Sequence, residues 1–256
     1  MGGTDLLRTF IELSGGVRAR VVVITTASGV PRTSFAKYSA AFHRMGVPAV
    51  RELRLASQED ANDERTLTEL NWATGVFFSG GDQSRLAVLV GSRTNLCLGS
   101  RLGDKLVIAG TSAGATVMGA TMILGGGCDA VGSRLHTGPG LGLLPGVIID
   151  MHFAERRRLP RLLDAVLRQP ALLGVGIDED TAILVSPGRF DVLGRGAVVA
   201  VDARATAATG AAHGHDDRAC CAVRLHQLYA GDAFDLHRWN PVTAGTGQGS
   251  AGKHCE

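Results

Sequence analysis

Ser112 lies in Gly110-Thr111-Ser112-Ala113-Gly114-Ala115, directly after the apolar run Leu106-Val107-Ile108-Ala109. The first five of these residues fit G-x-S-x-G. In that sharp strand-to-helix turn, glycines remove Cβ clashes and the serine hydroxyl projects above a sheet. Ordinary turns use the same pattern, so the motif alone leaves a catalytic and a structural serine equally open. A serine hydroxyl is a weak nucleophile until a base takes its proton and a third group orients that base. His152, which follows Val147-Ile148-Ile149-Asp150-Met151, and Glu179, in Gly176-Ile177-Asp178-Glu179-Asp180, supply those two chemical types. Taken singly, His152 reads better as a hydrogen-bonded core histidine, and the acidic triplet as a solvated turn. Together, three independent strand ends supply nucleophile, base and orienter.

Acyl transfer at a serine also needs two backbone N–H groups aimed at the developing oxyanion. Ala113, just past the serine at a helix start, offers one. The loop Ser79-Gly80-Gly81-Asp82-Gln83, at the end of the preceding apolar strand, offers the other through Gly81. A further anomaly is Arg156-Arg157-Arg158-Leu159-Pro160-Arg161, with four arginines in six residues just after His152. A solvated basic helix start accounts for it. Yet cations at a helix N-terminus oppose the macrodipole, and a substrate carboxylate would relieve that by bidentate pairing.

Positioning these residues calls for a sheet. Val21-Val22-Val23-Ile24, Val76-Phe77-Phe78, Leu106-Val107-Ile108 and Val147-Ile148-Ile149 are short, continuously apolar runs, as expected of strands buried on both faces. Helical patterns fall between them at about 32–45, 57–72, 83–92 and 113–122. This alternation predicts an α/β fold, a three-layer sandwich with a mostly parallel central sheet. In such a sheet, residues just past the carboxyl ends of strands share one crevice. The later runs Ala182-Ile183-Leu184-Val185, Phe190-Asp191-Val192-Leu193 and Ala197-Val198-Val199-Ala200-Val201 lie too close together for crossover helices. They predict C-terminal antiparallel hairpins extending the sheet.

The 256 residues suit one large α/β domain, expected over 1–240, with 241–256 as a Gly-, Thr-, Ser- and His-containing flexible tail. A net charge of +2 and 5% aromatic residues give no electrostatic or stacking platform for nucleic acid. No apolar run approaches the ~20 residues of a membrane span, and Met1-Gly2-Gly3-Thr4-Asp5 carries no export signal. Cys97, Cys128, Cys220, Cys221 and Cys255 are odd in number and lack C-x-x-C spacing, which points to free thiols and a cytoplasmic protein. Residues 202–220 read as a loop. His213 and His215 there lack a convincing third ligand, so neither a metal nor a cofactor is expected.

Gly80-Gly81-Asp82-Gln83, Gly110-Thr111-Ser112-Ala113-Gly114-Ala115, Asp150-Met151-His152-Phe153 with its arginines, and Gly176-Ile177-Asp178-Glu179-Asp180-Thr181-Ala182 occur in this order. The set resembles the successive motifs of the cyanophycinases, serine peptidases whose family also holds the α-aspartyl dipeptidase peptidase E. The resemblance runs from about Gly2 to Leu236, and four ordered motifs make it far more specific than any one. It implies a fold related to class I glutamine amidotransferases, with serine replacing cysteine at the elbow. It also implies cleavage of cyanophycin, a poly-aspartate bearing arginines on its β-carboxyls, to β-Asp-Arg dipeptides. Carried over by motif position, Ser112 is the nucleophile, His152 the base and Glu179 its orienter. Gln83, Asp150, Met151, Arg156, Arg158 and Arg161 would line the substrate groove, and a homodimer is the expected assembly. Other β-aspartyl or α-aspartyl peptides, or a groove-binding homologue without catalysis, are the alternatives.

Two departures stand out. The family usually has Asp-Gln-His-Phe where this chain has Asp150-Met151-His152-Phe153. It also usually carries a strand before the glycine pair found here at Gly2-Gly3, so the expectation is a missing first strand or a late start codon.

Overall fold

The computed structural model describes residues 3–103, 106–126, 135–205 and 222–242. Its first half is built on four parallel strands, β1 (Arg20–Ile24), β2 (Ala49–Leu53), β3 (Gly75–Phe78) and β4 (Val107–Gly110), in the order β2-β1-β3-β4. Alternation along these strands decides what covers each face. Val21, Val23 and Phe77 meet Phe10 and Ile11 of helix α1 (Gly3–Leu13) and Phe42 of α2 (Pro31–Arg44). Val22, Ile24, Val76 and Phe78 meet Leu70 of α3 (Glu64–Trp72) and Leu98 of α4 (Arg93–Arg101). Helices on both faces of a parallel sheet give the expected three layers.

The second half carries a six-stranded sheet. Its strands are β5 (Gly119–Gly125), β6 (His136–Pro139), β7 (Leu144–Met151), β8 (Leu173–Ile177), β11 (Val198–Asp202) and β12 (Arg224–Leu228), ordered β12-β11-β8-β7-β5-β6. The β5–β7 and β7–β8 pairs are parallel; the others are antiparallel. Ile148 and Val201 face α6 (Leu159–Arg168) through Leu162, Ala165 and Val166. Val147, Ile149, Val175 and Ile177 face a smaller antiparallel sheet of β9 (Thr181–Ser186), β10 (Arg189–Gly194), β13 (Ala233–Asp235) and β14 (Asn240–Pro241). The chain is thus mixed α/β, mostly parallel at its centre, with antiparallel hairpins towards its C-terminus.

Several elements differ from the sequence reading. The β9–β10 hairpin does not extend the central sheet. It lies across a face of it, where Phe190 and Phe234 stack at 5.2 Å and close the core. β11 does extend the sheet, antiparallel to β8. The helix expected over 113–122 stops at Thr116, as the four-residue α5 (Ala113–Thr116), and the chain then becomes β5. Gly119 explains the switch: a Cβ there would lie 2.6 Å from the Val147 carbonyl oxygen, so the strand runs closer to β7 than any helix could. The pattern at 57–72 divides at Asp63, whose extended backbone and carboxylate cap the Arg65 N–H at 2.7 Å and start α3. The 83–92 pattern is a 3₁₀ helix over Gln83–Leu89, capped by Asp82. Asn240 and Pro241, where the expected domain meets the expected tail, pair with β13. The tail beyond Val242, most of the 202–220 loop, His213, His215 and every cysteine except Cys97 lie outside the described residues.

Candidate active site

β4 ends at Gly110, and two residues later Ser112 adopts φ 52°, ψ −118°. A non-glycine residue held there costs about 1–3 kcal/mol, which the surroundings must offset. The flanking glycines make the turn sterically feasible. A Cβ on Gly110 would sit 2.3 Å from the Gly114 oxygen, and one on Gly114 would sit 2.4 Å from the Phe78 oxygen. The Thr111 N–H donates to the Phe78 carbonyl at 3.1 Å, keeping the elbow joined to β3. Gly80, past the end of β3, comes close on the other side, where a Cβ would lie 3.9 Å from Ser112 Oγ. Gly81, at φ +146°, lets the same loop pass against Ala27, whose oxygen would be 2.0 Å from a Cβ.

His152 directly follows β7 and also has positive φ, at 54°. That turn aims its ring at both partners. His152 Nε2 lies 3.0 Å from Ser112 Oγ, and Nδ1 lies 2.9 Å from Glu179 Oε1. Because a carboxylate only accepts, Nδ1 carries the proton and Nε2 is left to accept from the serine hydroxyl. The His152 side chain is 24% exposed and that of Glu179 is 58% exposed, so the relay opens to solvent at its carboxylate end. The N–H groups of Gly80, Gly81 and Ala113 donate no hydrogen bond among the described residues, which leaves donors free beside Ser112.

Asp150 is a different kind of residue. It is 1% exposed and receives Arg158 Nη1 at 3.1 Å and Arg161 Nε at 2.6 Å, with Arg161 Nη2 making a second, shorter contact. Arg158 Nη1 also donates to the Met151 carbonyl at 2.5 Å. Burial, opposed by Asp150, lowers the pKa of Arg158 from its ordinary value, and the neighbouring Arg161 and Arg156 lower it further. Arg158 and Arg161 therefore turn onto Asp150. Arg156 and Arg157 are exposed and have no hydrogen bond or ion pair from their side chains among the described residues. Gln83 spends its amide nitrogen on the Ile123 and Leu124 carbonyls of β5, at 2.6 and 3.3 Å, and its side-chain oxygen has no partner among the described residues. Met151 is half-buried and packs beside Val147, Ile149 and Ile177, opposite the face that carries Asp150.

Sequence reading did not single out two residues that hold this site. Asp178 accepts from the Ala154 and Ala197 N–H groups, both at 2.9 Å, and Glu155 accepts from the Glu179 N–H at 3.0 Å. Gly176 has a comparable part, since a Cβ there would lie 2.4 Å from the Phe153 ring. Among the described residues no group of three or more His, Cys, Asp or Glu side chains is disposed to hold a metal ion, and no helix is long and apolar enough to cross a membrane.

A nucleophile elbow, a histidine between serine and carboxylate, and free backbone donors on an α/β sandwich define a hydrolase that works through a serine. The chain belongs to peptidase family S51, whose sequence model matches residues 3–193, and it is accordingly a peptidase. A cyanophycinase of Synechococcus elongatus is 40% identical over 242 residues, covering 91% of this chain and 75% of the relative. A cyanophycinase of Trichormus variabilis is 38% identical over 243 residues, covering 92% and 82%. The crystal structure of a peptidase from an acI-B1 actinobacterium shares the fold, with TM-score 0.65 at 21% identity, covering 91% of this chain and 90% of that one. The family resemblance read from four motifs is thus borne out over most of the chain.

Proposed function

We propose that this chain is a serine exopeptidase that hydrolyses cyanophycin to β-Asp-Arg dipeptides through an acyl-enzyme. The observation that carries the reading is the relay at 3.0 and 2.9 Å from Ser112 through His152 to Glu179. Ser112 Oγ attacks the scissile carbonyl carbon while His152 Nε2 takes its proton. The oxyanion meets the free N–H groups of Gly81 and Ala113. His152 then gives the proton to the leaving amine, and water, deprotonated by the same ring, hydrolyses the ester. No step needs a metal or cofactor.

Substrate recognition follows from charge. Two guanidinia against one carboxylate leave Arg158, Arg161 and Asp150 with net positive charge, and exposed Arg156 adds to it beside His152. Aspartate carboxylates suit that field. The free oxygen of Gln83 suits an N–H donor, such as a guanidinium of the substrate. The named activity of the two relatives above supports the polymer as substrate. The same reading takes 1–240 as the working domain and the cytoplasm as its location, in keeping with an odd number of cysteines without C-x-x-C spacing. A homodimer is proposed as well, supported by the sheet-edge strand β12, where Leu225 and nearby Tyr229 are exposed.

One observation favours a second reading, a shorter aspartyl peptide. Met151 sits beside His152 and packs into the apolar cluster, so the polar side chain usual in the family at this position is missing. Incubating the purified protein with cyanophycin separates the two. Release of β-Asp-Arg is expected, together with labelling of the protein by a fluorophosphonate. Labelling with hydrolysis only of aspartyl dipeptides selects the second reading. Absence of both leaves a groove-binding homologue.

A further inference from the structure

In many Ser-His-carboxylate relays the carboxylate is buried and fixed by what surrounds it. Here Glu179 is largely exposed, and among the described residues its carboxylate has one partner, His152. Its position must therefore come from its backbone, which lies in the short turn between β8 and β9.

That turn is tied to the loop after His152 by two bonds running in opposite directions. The Ala154 N–H, two residues after His152, donates to Asp178 Oδ1 at 2.9 Å, one residue before Glu179. The Glu179 N–H donates to Glu155 Oε1 at 3.0 Å, three residues after His152. Each loop thus lends a carboxylate to the other's backbone. A backbone bond from the Phe153 N–H to the Ile177 oxygen at 3.2 Å lies between them. Asp178 Oδ2 adds the Ala197 N–H at 2.9 Å, and Thr181 Oγ1 donates to the Glu179 carbonyl at 3.0 Å while accepting from the Gly196 N–H at 2.8 Å. His152 and Asp180 meanwhile hold positive φ, at 54° and 51°, conformations that need such support.

We infer that Glu155 and Asp178 are positioning residues for the relay: their reciprocal bonds fix the turn that carries Glu179 against the loop that carries His152. This rests on the serine-peptidase reading above. Glu155 is the sharper probe because it is exposed and its side chain has no second partner among the described residues. Asp178 holds two separate N–H groups and its loss disturbs folding as well.

The test compares Glu155→Ala, Glu155→Gln and Glu179→Ala, singly and combined, on cyanophycin, with Tm measured for each. Glu155→Ala should lower kcat on the order of 10-fold with KM and Tm little changed, the size of effect expected from a small misplacement of a catalytic group. Glu155→Gln should restore most of the rate, because an amide oxygen accepts the same N–H. In the Glu179→Ala background the Glu155→Ala change should cost nothing further, because its effect passes through Glu179. Wild-type kcat in Glu155→Ala, equal damage from alanine and glutamine, or losses that multiply in the double variant each overturn the inference. A wild-type protein that neither turns over substrate nor takes a fluorophosphonate label fails earlier, at the peptidase reading, and takes the inference with it.

Discussion

Replacing Asp150 by asparagine keeps the shape of the side chain and removes the charge that both Arg158 and Arg161 face. The carboxylate is 1% exposed, and the two guanidinia are 16% and 17% exposed. Stripping one partner from a buried ion pair typically costs 3–5 kcal/mol, mostly because the remaining charge stays desolvated. Asparagine still accepts one hydrogen bond and the arginines keep a little contact with water, so the low end applies, about 3 kcal/mol. For a chain of this size that is a fall in Tm of about 6–12 °C. The loop is coupled to it through Arg158, whose bond to the Met151 carbonyl ends next to His152, so kcat should fall as well. Thermal unfolding followed by circular dichroism, with steady-state kinetics on the same preparations, measures both. An Asp150→Asn protein with wild-type Tm and an altered KM would refute the reasoning, showing that the carboxylate answers to substrate rather than to the two arginines.

Gly114→Ala places a Cβ 2.4 Å from the Phe78 carbonyl oxygen, a backbone atom that cannot yield, so a loss of about 3 kcal/mol or more is expected in denaturant melts. Met151→Gln puts an amide where the apolar cluster now packs a thioether. Improved kcat/KM on cyanophycin relative to an aspartyl dipeptide is expected if the amide reaches the groove; equal values on both, with lower Tm, mean that position 151 serves packing alone. Asp82 is held below the ordinary carboxylate range by the Ser84 hydroxyl, then the Ser84 N–H, and more weakly by Arg85. For Asp202 burial pushes the other way, but hydrogen bonds from Arg204 prevail and lower it too. Both stay ionised in the fold after the unfolded chain has begun to take protons near pH ~4, so the stability they confer is present above that pH and lost below it. Melts from pH 7 to pH 3 should show Tm falling at the acid end, and a flat profile would count against these pairings.

Much of the site could be read from sequence because its signals are local. The glycines around Ser112 announce an elbow whose steric need the structure makes explicit at Gly110 and Gly114. The apolar runs of β1, β3 and β7 are visible without tertiary information, and so are the strand ends that place Ser112, His152 and Glu179. What escaped depends on partners distant in sequence. The carboxylates of Asp178 and Glu155 look like solvated charges until the N–H groups they serve, in the neighbouring loop, are brought beside them. Arg158 and Arg161 read as free for substrate because the burial of Asp150, which both of them face, is set by packing and not by the local sequence. β5 passed for a helix because its departure is forced by the β7 backbone at Gly119, and the β9–β10 hairpin has the same local pattern whether it extends a sheet or covers one.

The central claim is that Ser112 is an activated nucleophile acting on cyanophycin. Measuring β-Asp-Arg release from the purified polymer by the wild-type protein and by Ser112→Ala, matched for Tm, tests it most directly. The account predicts steady release by the wild type and a kcat lower by on the order of 10³-fold or more in the variant, as in other serine relays. Release by Ser112→Ala at the wild-type rate would contradict it.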